Sequence, residues 1–140
     1  MGLLTIILEN PNSDKSTYTV KMPNGIPCLH NRISLVGWSI HKGGGNSKAL
    51  KVRIPWLNSP SSLSLGKEGD TVDKSGSIVL PLDGTNGYES QQDIALHFDV
   101  TQEIIPTSFN VDTLNMDNTN NTTAVSQLIL FFQYETRRLL

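Results

Sequence analysis

The stretch AVSQLILFFQYETRRLL, residues 124–140, is the most apolar run of the chain, and its reading decides the fold class. Its apolar residues recur with a period of two. Leu128, Leu130, Phe132 and Tyr134 fall on one side of an extended strand, and Val125, Gln127, Ile129, Phe131 and Gln133 fall on the other. If the first set points into a core, Ile129 and Phe131 face outward. A strand that is apolar on both faces is expected to be covered on its second face as well.

Working outward, seven further segments carry strand patterning, at 3–8, 16–22, 32–41, 48–54, 76–82, 93–100 and 105–112. Tyr18, Val20 and Met22 oppose Thr17, Thr19 and Lys21, and Leu50, Val52 and Ile54 oppose Ala49, Lys51 and Arg53. Ile94, Leu96, Phe98 and Val100 likewise oppose Asp93, Ala95, His97 and Asp99, the pattern of half-buried antiparallel strands. No segment carries an apolar stripe of helical period. The connectors ENPNSD, MPNG, HKGGGNSK and LDGTNG are clusters of turn-forming residues. Two connectors are long, at 55–75 and 113–124, and mark one end of the molecule as the variable one.

The 140 residues suffice for one domain with one core, spanning 1–140. Charged residues make up only 17% of the chain and the net charge is −2, so nothing in the charge favours direct contact with nucleic acid. The single cysteine, Cys28, excludes an internal disulfide and fits a reducing compartment. The opening MGLLTIIL lacks the basic start and cleavage site of a signal peptide and reads as a first strand. No run approaches the roughly 18 apolar residues of a membrane-spanning helix.

Eight short antiparallel strands in a chain of this length fit an all-β, single jelly-roll β-sandwich of two four-stranded sheets. In that arrangement the first, third, sixth and eighth segments share one sheet. The first segment then adds Leu3 and Ile7 to the outward side of the last, and the third adds Ile33 and Leu35. Trp38 shares its face with Val36 and Ile40 under unbroken alternation, which assigns it to the core. Leu3, Ile7, Ile33, Leu35, Ile129 and Phe131 form the expected subunit interface; Arg137 and Arg138 beyond it could pair with carboxylates of a neighbour or meet anionic lipid, with a solvated terminus as the default. The opposing expectation is that a loop or the terminal RRLL folds back over this patch.

Residues that invite chemistry lack the partners it needs. Cys28 and His30 in PCLH could bring a thiol and an imidazole together, but no orienting third group or oxyanion pocket is written nearby. His41 and His97 are isolated, and one cysteine with three scattered histidines gives no metal-ligand spacing. DGTNGYE, residues 83–89, has the oxygen-rich look of a calcium loop without its full ligand alternation, and reads as a surface turn. HKGGGNSK joins two strands, where a phosphate-cradling loop would lead into a helix. Trp56, after a proline at the mouth of the long loop, is the candidate loop contact, either for a ligand or as an anchor. The sequons at Asn120 and Asn121 matter only on a secretory route. The expectation is a non-enzyme with no cofactor and no metal.

The segments RISLVGWSIHKGGG, ALKVRIPWLNS, SGSIVLPLDG, IIPTSFNVDTL and QLILFFQYE together resemble the single jelly-roll capsid proteins of double-stranded DNA viruses, within them the penton and minor capsid proteins. The likeness spans most of the chain and lies in strand order, loop chemistry and the final strand. It implies a viral structural protein at icosahedral vertices, a homo-oligomer with a pentamer favoured, contacting the major capsid protein. It also implies a place in the virion capsid, near an internal membrane, after assembly in the host cytoplasm or a viral factory. Two other classes share this architecture: trimeric ligands of the tumour-necrosis-factor or C1q type, and carbohydrate-binding modules, for which Trp56 and Tyr88 would be the aromatic platforms.

Overall fold

The computed structural model describes residues 2–9, 17–29, 32–44, 49–58, 77–82, 87–101, 104–115 and 124–135. These form twelve strands and no α-helix: β1 (Gly2–Glu9), β2 (Thr17–Lys21), β3 (Ile26–Pro27), β4 (Arg32–Gly44), β5 (Ala49–Arg53), β6 (Leu57–Asn58), β7 (Ser77–Pro81), β8 (Gly87–Gln91), β9 (Leu96–Val100), β10 (Ile104–Ile105), β11 (Ser108–Leu114) and β12 (Ala124–Tyr134). Among the described residues no helix is long and apolar enough to cross a membrane. All eight segments predicted from periodicity are strands. The four additional ones are the short β3, β6 and β10 and the polar β8, whose GYESQ lay within and beyond a segment read as a turn.

Two antiparallel sheets dominate. One runs β1-β12-β4-β9-β6, with β8 also paired to β4; the other runs β2-β11-β5-β7. The first, third, sixth and eighth predicted segments therefore share one sheet and the remaining four share the other. A small ladder of β3 with β10 lies apart from both. A single core cluster draws from the inner faces of both sheets, with Leu4, Ile6, Leu128, Leu130 and Phe132 on one side and Leu50, Val52, Ile78, Leu80, Phe109 and Val111 on the other. The fold is thus a β-sandwich.

The alternation that builds this core is interrupted at defined places. On β4 and β12, Phe132 pairs with Leu35 but Phe131 pairs with Gly37, which leaves Val36 as an extra residue. A bulge of this kind shifts the side-chain phase by one residue. Ile33, Leu35, Trp38 and Ile40 consequently all point inward, and Val36 is only half-buried. Ile33 and Leu35, expected on the outer side, are 1% and 0% exposed. Their assignment to the outward patch is corrected: they are core residues, because strict alternation does not continue through the bulge. A second irregularity, with Val125 opposite Lys42 and Gln127 opposite His41, leaves Ser126 as the extra residue and turns Val125 into the core as well.

The same bulge on β4 explains β8. Its residues pair with Trp38–Lys42 and those of β9 with Arg32–Leu35, so β8 and β9 lie end to end along one side of β4 and part opposite Val36 and Gly37. Asp93 turns the chain between them with a φ of 58°, and the Ile94 amide donates to the Val36 carbonyl at 3.3 Å. Aspartate is among the few residues other than glycine that take this conformation readily.

The other sheet departs from expectation on its outer side. Lys51, read as solvent-facing, is buried, as are Val79 and Leu114 on either side of it. Every residue of β7 is buried. That part of the four-stranded sheet is closed to solvent on both faces.

Candidate assembly surface

The six-stranded sheet presents its outer face through β1, β12 and β4. Register places Leu3 beside Gln133 and Ser34, Thr5 beside Phe131 and Gly37, Ile7 beside Ile129 and Ser39, and Glu9 beside Gln127 and His41. Leu3 is 71% exposed, Ile7 53% and Phe131 39%, while Ile129 is half-buried between its neighbours. The four occupy adjoining positions of two paired strands and make an outward apolar strip, a candidate contact surface.

Local sequence builds the strip. Gly37 lies beside Phe131 on the neighbouring strand; a Cβ there would meet the Phe131 ring at an ordinary 3.6 Å but crowd the Gln91 carbonyl oxygen at 3.1 Å. On the opposite, core-facing side of the same two strands, the Tyr134 ring fills the space that a side chain at Gly2 would need.

Polar cross-strand pairs border the strip. Gln127 Nε2 donates to Glu9 Oε1 at 2.9 Å. Ser126 Oγ lies 2.7 Å from His41 Nδ1, and the His41 ring stacks on Tyr88 with centroids 4.2 Å apart. Ser34 Oγ lies 2.7 Å from His97 Nδ1. A serine and a histidine become a nucleophilic device when a third group orients the ring. Among the described residues, neither imidazole engages a carboxylate. These contacts tie neighbouring strands together and fix the shape of the face.

Two concavities flank the apolar strip. One of about 600 Å³ opens beside Phe131 over the bulge, walled by Val36, Gln92, Asp93 and Ile94. The other, about 320 Å³, is lined by Leu29, Arg32, Ser34, His97, Tyr134 and Glu135. Among the described residues no three His, Cys, Asp or Glu side chains gather as a metal site would require.

The expectation that Trp56 meets a ligand is corrected, which leaves that of an anchor. Trp56 is 1% exposed and packs edge-on against Phe109 at 5.4 Å and against Phe132 at 6.1 Å, which places it between the two sheets. Its carbonyl accepts from the Thr101 amide at 2.9 Å, which ties the chain at Trp56 to the end of β9. Tyr88 is exposed, with one side of its ring against His41. Cys28 is buried. Arg137 and Arg138, His30, the sequons at Asn120 and Asn121 and most of the 55–75 connector lie outside the described residues.

Sequence reasoning placed Leu3, Ile7, Gln127, Ile129 and Phe131 on this face but missed Ser34 and Ser126 as members of it. Their only signal was polarity within apolar strands. Gly37 inside a strand was the available sign of the bulge. No protein-family model matches the chain, and no curated protein matches it.

Proposed function

We propose that this chain is a structural subunit of a virus capsid, of the penton or minor capsid type, built on a single jelly roll and assembling with copies of itself at icosahedral vertices. The observation that carries the proposal is the outward apolar strip of Leu3, Ile7, Ile129 and Phe131. A monomer would hold this strip against water at a cost of about 25 cal/mol for each Å² of apolar surface, which a neighbouring subunit removes.

The jelly-roll part of the reading is supported by the division of the eight long segments between the sheets. β1, β12, β4 and β9 on one side, and β2, β11, β5 and β7 on the other, interleave as two Greek keys would require. The asymmetry of the outer faces supports the choice of surface. The four-stranded sheet is closed over β5 and β7, whereas the six-stranded sheet is open over β1 and β12. A pentameric ring, contact with the major capsid protein and a place in the virion belong to the same proposal. They rest on the resemblance of strand order and loop chemistry, since a fold alone does not fix a function.

Native mass spectrometry of the full chain beside a Phe131→Asp variant tests it. The expected result is a wild-type mass of five subunits or a multiple of five and its loss in the variant, with an unchanged far-UV spectrum. A trimer would favour the ligand class that shares this architecture. A chain that stays monomeric at high concentration would overturn the self-assembling subunit.

A further inference from the structure

We propose that β1 pairs edge to edge with β1 of a second copy, antiparallel about a two-fold axis at Thr5, so that the two six-stranded sheets join into one. The inference does not depend on the capsid reading. It concerns the backbone edge of the sheet, whereas that reading concerns its face.

β1 ends its sheet, pairing with β12 on one side and with no described strand on the other. An edge strand of this kind offers a row of backbone donors and acceptors, and soluble proteins usually blunt it with a charge, a proline or short length. The other strands at the edges of the two main sheets are shorter: β6 has two residues and β2, β7 and β8 have five each, with β8 polar and β7 buried throughout and ending on Pro81. β1 has eight residues, no proline, no lysine or arginine, and a single carboxylate at its last position.

The occupant is identified by the strand itself. Leu3-Leu4-Thr5-Ile6-Ile7 has the same order of aliphatic and hydroxyl side chains in both directions about Thr5. In an antiparallel pair centred there, Leu3 faces Ile7 of the second copy on the outer side, and Leu4 faces Ile6 on the inner side. Thr5 faces Thr5. Aliphatic and Thr–Thr cross-strand pairs are the favourable kind. Leu3 and Ile7, both exposed in the single chain, thereby cover each other. Glu9 falls beyond the paired stretch, so the two carboxylates are not opposed.

The hydrogen-bond pattern is compatible. In an antiparallel strand the N–H and C=O of one residue point to the same side, so alternate residues of β1 turn theirs away from β12. A pairing centred on Thr5 always joins two odd-numbered or two even-numbered residues, so outward donors meet outward acceptors. The contact is isologous and closes at two copies.

Charge-pair variants at the two exposed positions test the proposal by sedimentation of the full chain over a range of concentrations. Leu3→Lys combined with Ile7→Lys places like charges opposite each other across the axis, and Leu3→Lys combined with Ile7→Glu places opposite charges there. Both positions are on the surface, so neither pair of changes should disturb the fold, which circular dichroism checks. The expected result is an edge contact at least tenfold weaker in the first double variant and regained in the second, the second losing affinity as salt rises. A face contact without edge pairing would instead be lost in both double variants and in Phe131→Asp, which overturns the edge proposal and leaves the capsid reading standing. Loss in the first double variant alone, with Phe131→Asp having no effect, upholds the edge contact and fails the face. A monomeric wild type, or an assembly unaffected by either double variant, also overturns the edge pairing.

Discussion

Leu3 and Leu35 are the same residue type, both were assigned to one outer surface by alternation, and the structure gives them opposite environments. Leu35 is sealed between the sheets, and Leu3 is mostly in water. Leu35→Ala should therefore cost about 2–5 kcal/mol by leaving a cavity, and Leu3→Ala no more than about 0.5 kcal/mol, in urea unfolding at concentrations low enough to keep the chain dissociated. Equal costs would mean that the bulge does not turn Leu35 inward. The two tryptophans differ in a similar way. Trp38 is buried with its Nε1 donating to Gln91 Oε1 at 3.0 Å, whereas the buried Trp56 Nε1 has no hydrogen-bond partner among the described residues. Sequence placed Trp38 correctly in the core because it sits inside a strand pattern. Trp56 follows a proline in a connector, where no periodicity tells inward from outward, and only the closing of the second sheet over it settles its burial.

At the scale of the element, the bulge on β4 separates a residue that can be spared from those that cannot. Without Val36, the residues Ile33, Leu35, Trp38 and Ile40 would follow strict alternation on one face, the face they already occupy. Without Ser34, Ile33 and Leu35 would fall on opposite faces. Deletion of Val36 is thus expected to preserve a cooperative thermal transition at a lower midpoint, having lost the bond from the Ile94 amide. Deletion of Ser34 is expected to abolish the transition or to lower it much further, since at least one large aliphatic side chain, worth about 1.5–3 kcal/mol, leaves the core. The reverse order would show that the extra residue is structurally required. The existence and approximate limits of the eight long strands were legible from period-two patterning. β8 was not: its alternation is of polar residues, and it becomes a strand only because β4 offers it a free edge beyond the bulge.

At the scale of the molecule, the strand that first suggested the fold is also the one that holds the larger sheet together. β12 lies between β1 and β4, so segments more than a hundred residues apart in sequence are bonded neighbours. A chain ending before residue 124 leaves β1 with no described partner and removes Leu128, Leu130 and Phe132 from the core. It is expected to show no cooperative unfolding by circular dichroism, whereas the full chain unfolds in one step. Such non-local pairing also predicts folding on the slow side for a domain of this size, in milliseconds to seconds. The sequence by itself determined the all-β class, the positions of the long strands and the outward direction of Leu3, Ile7 and Phe131, because side-chain direction within an unbroken strand is a local property. Only the tertiary structure decided the burial of Ile33, Leu35, Trp56 and Lys51, the closed and open outer faces and the place of β1 at the end of its sheet among the described strands. Each of these depends on which strand lies alongside and where its register slips, and pairing partners distant in sequence leave no periodic trace in either strand alone.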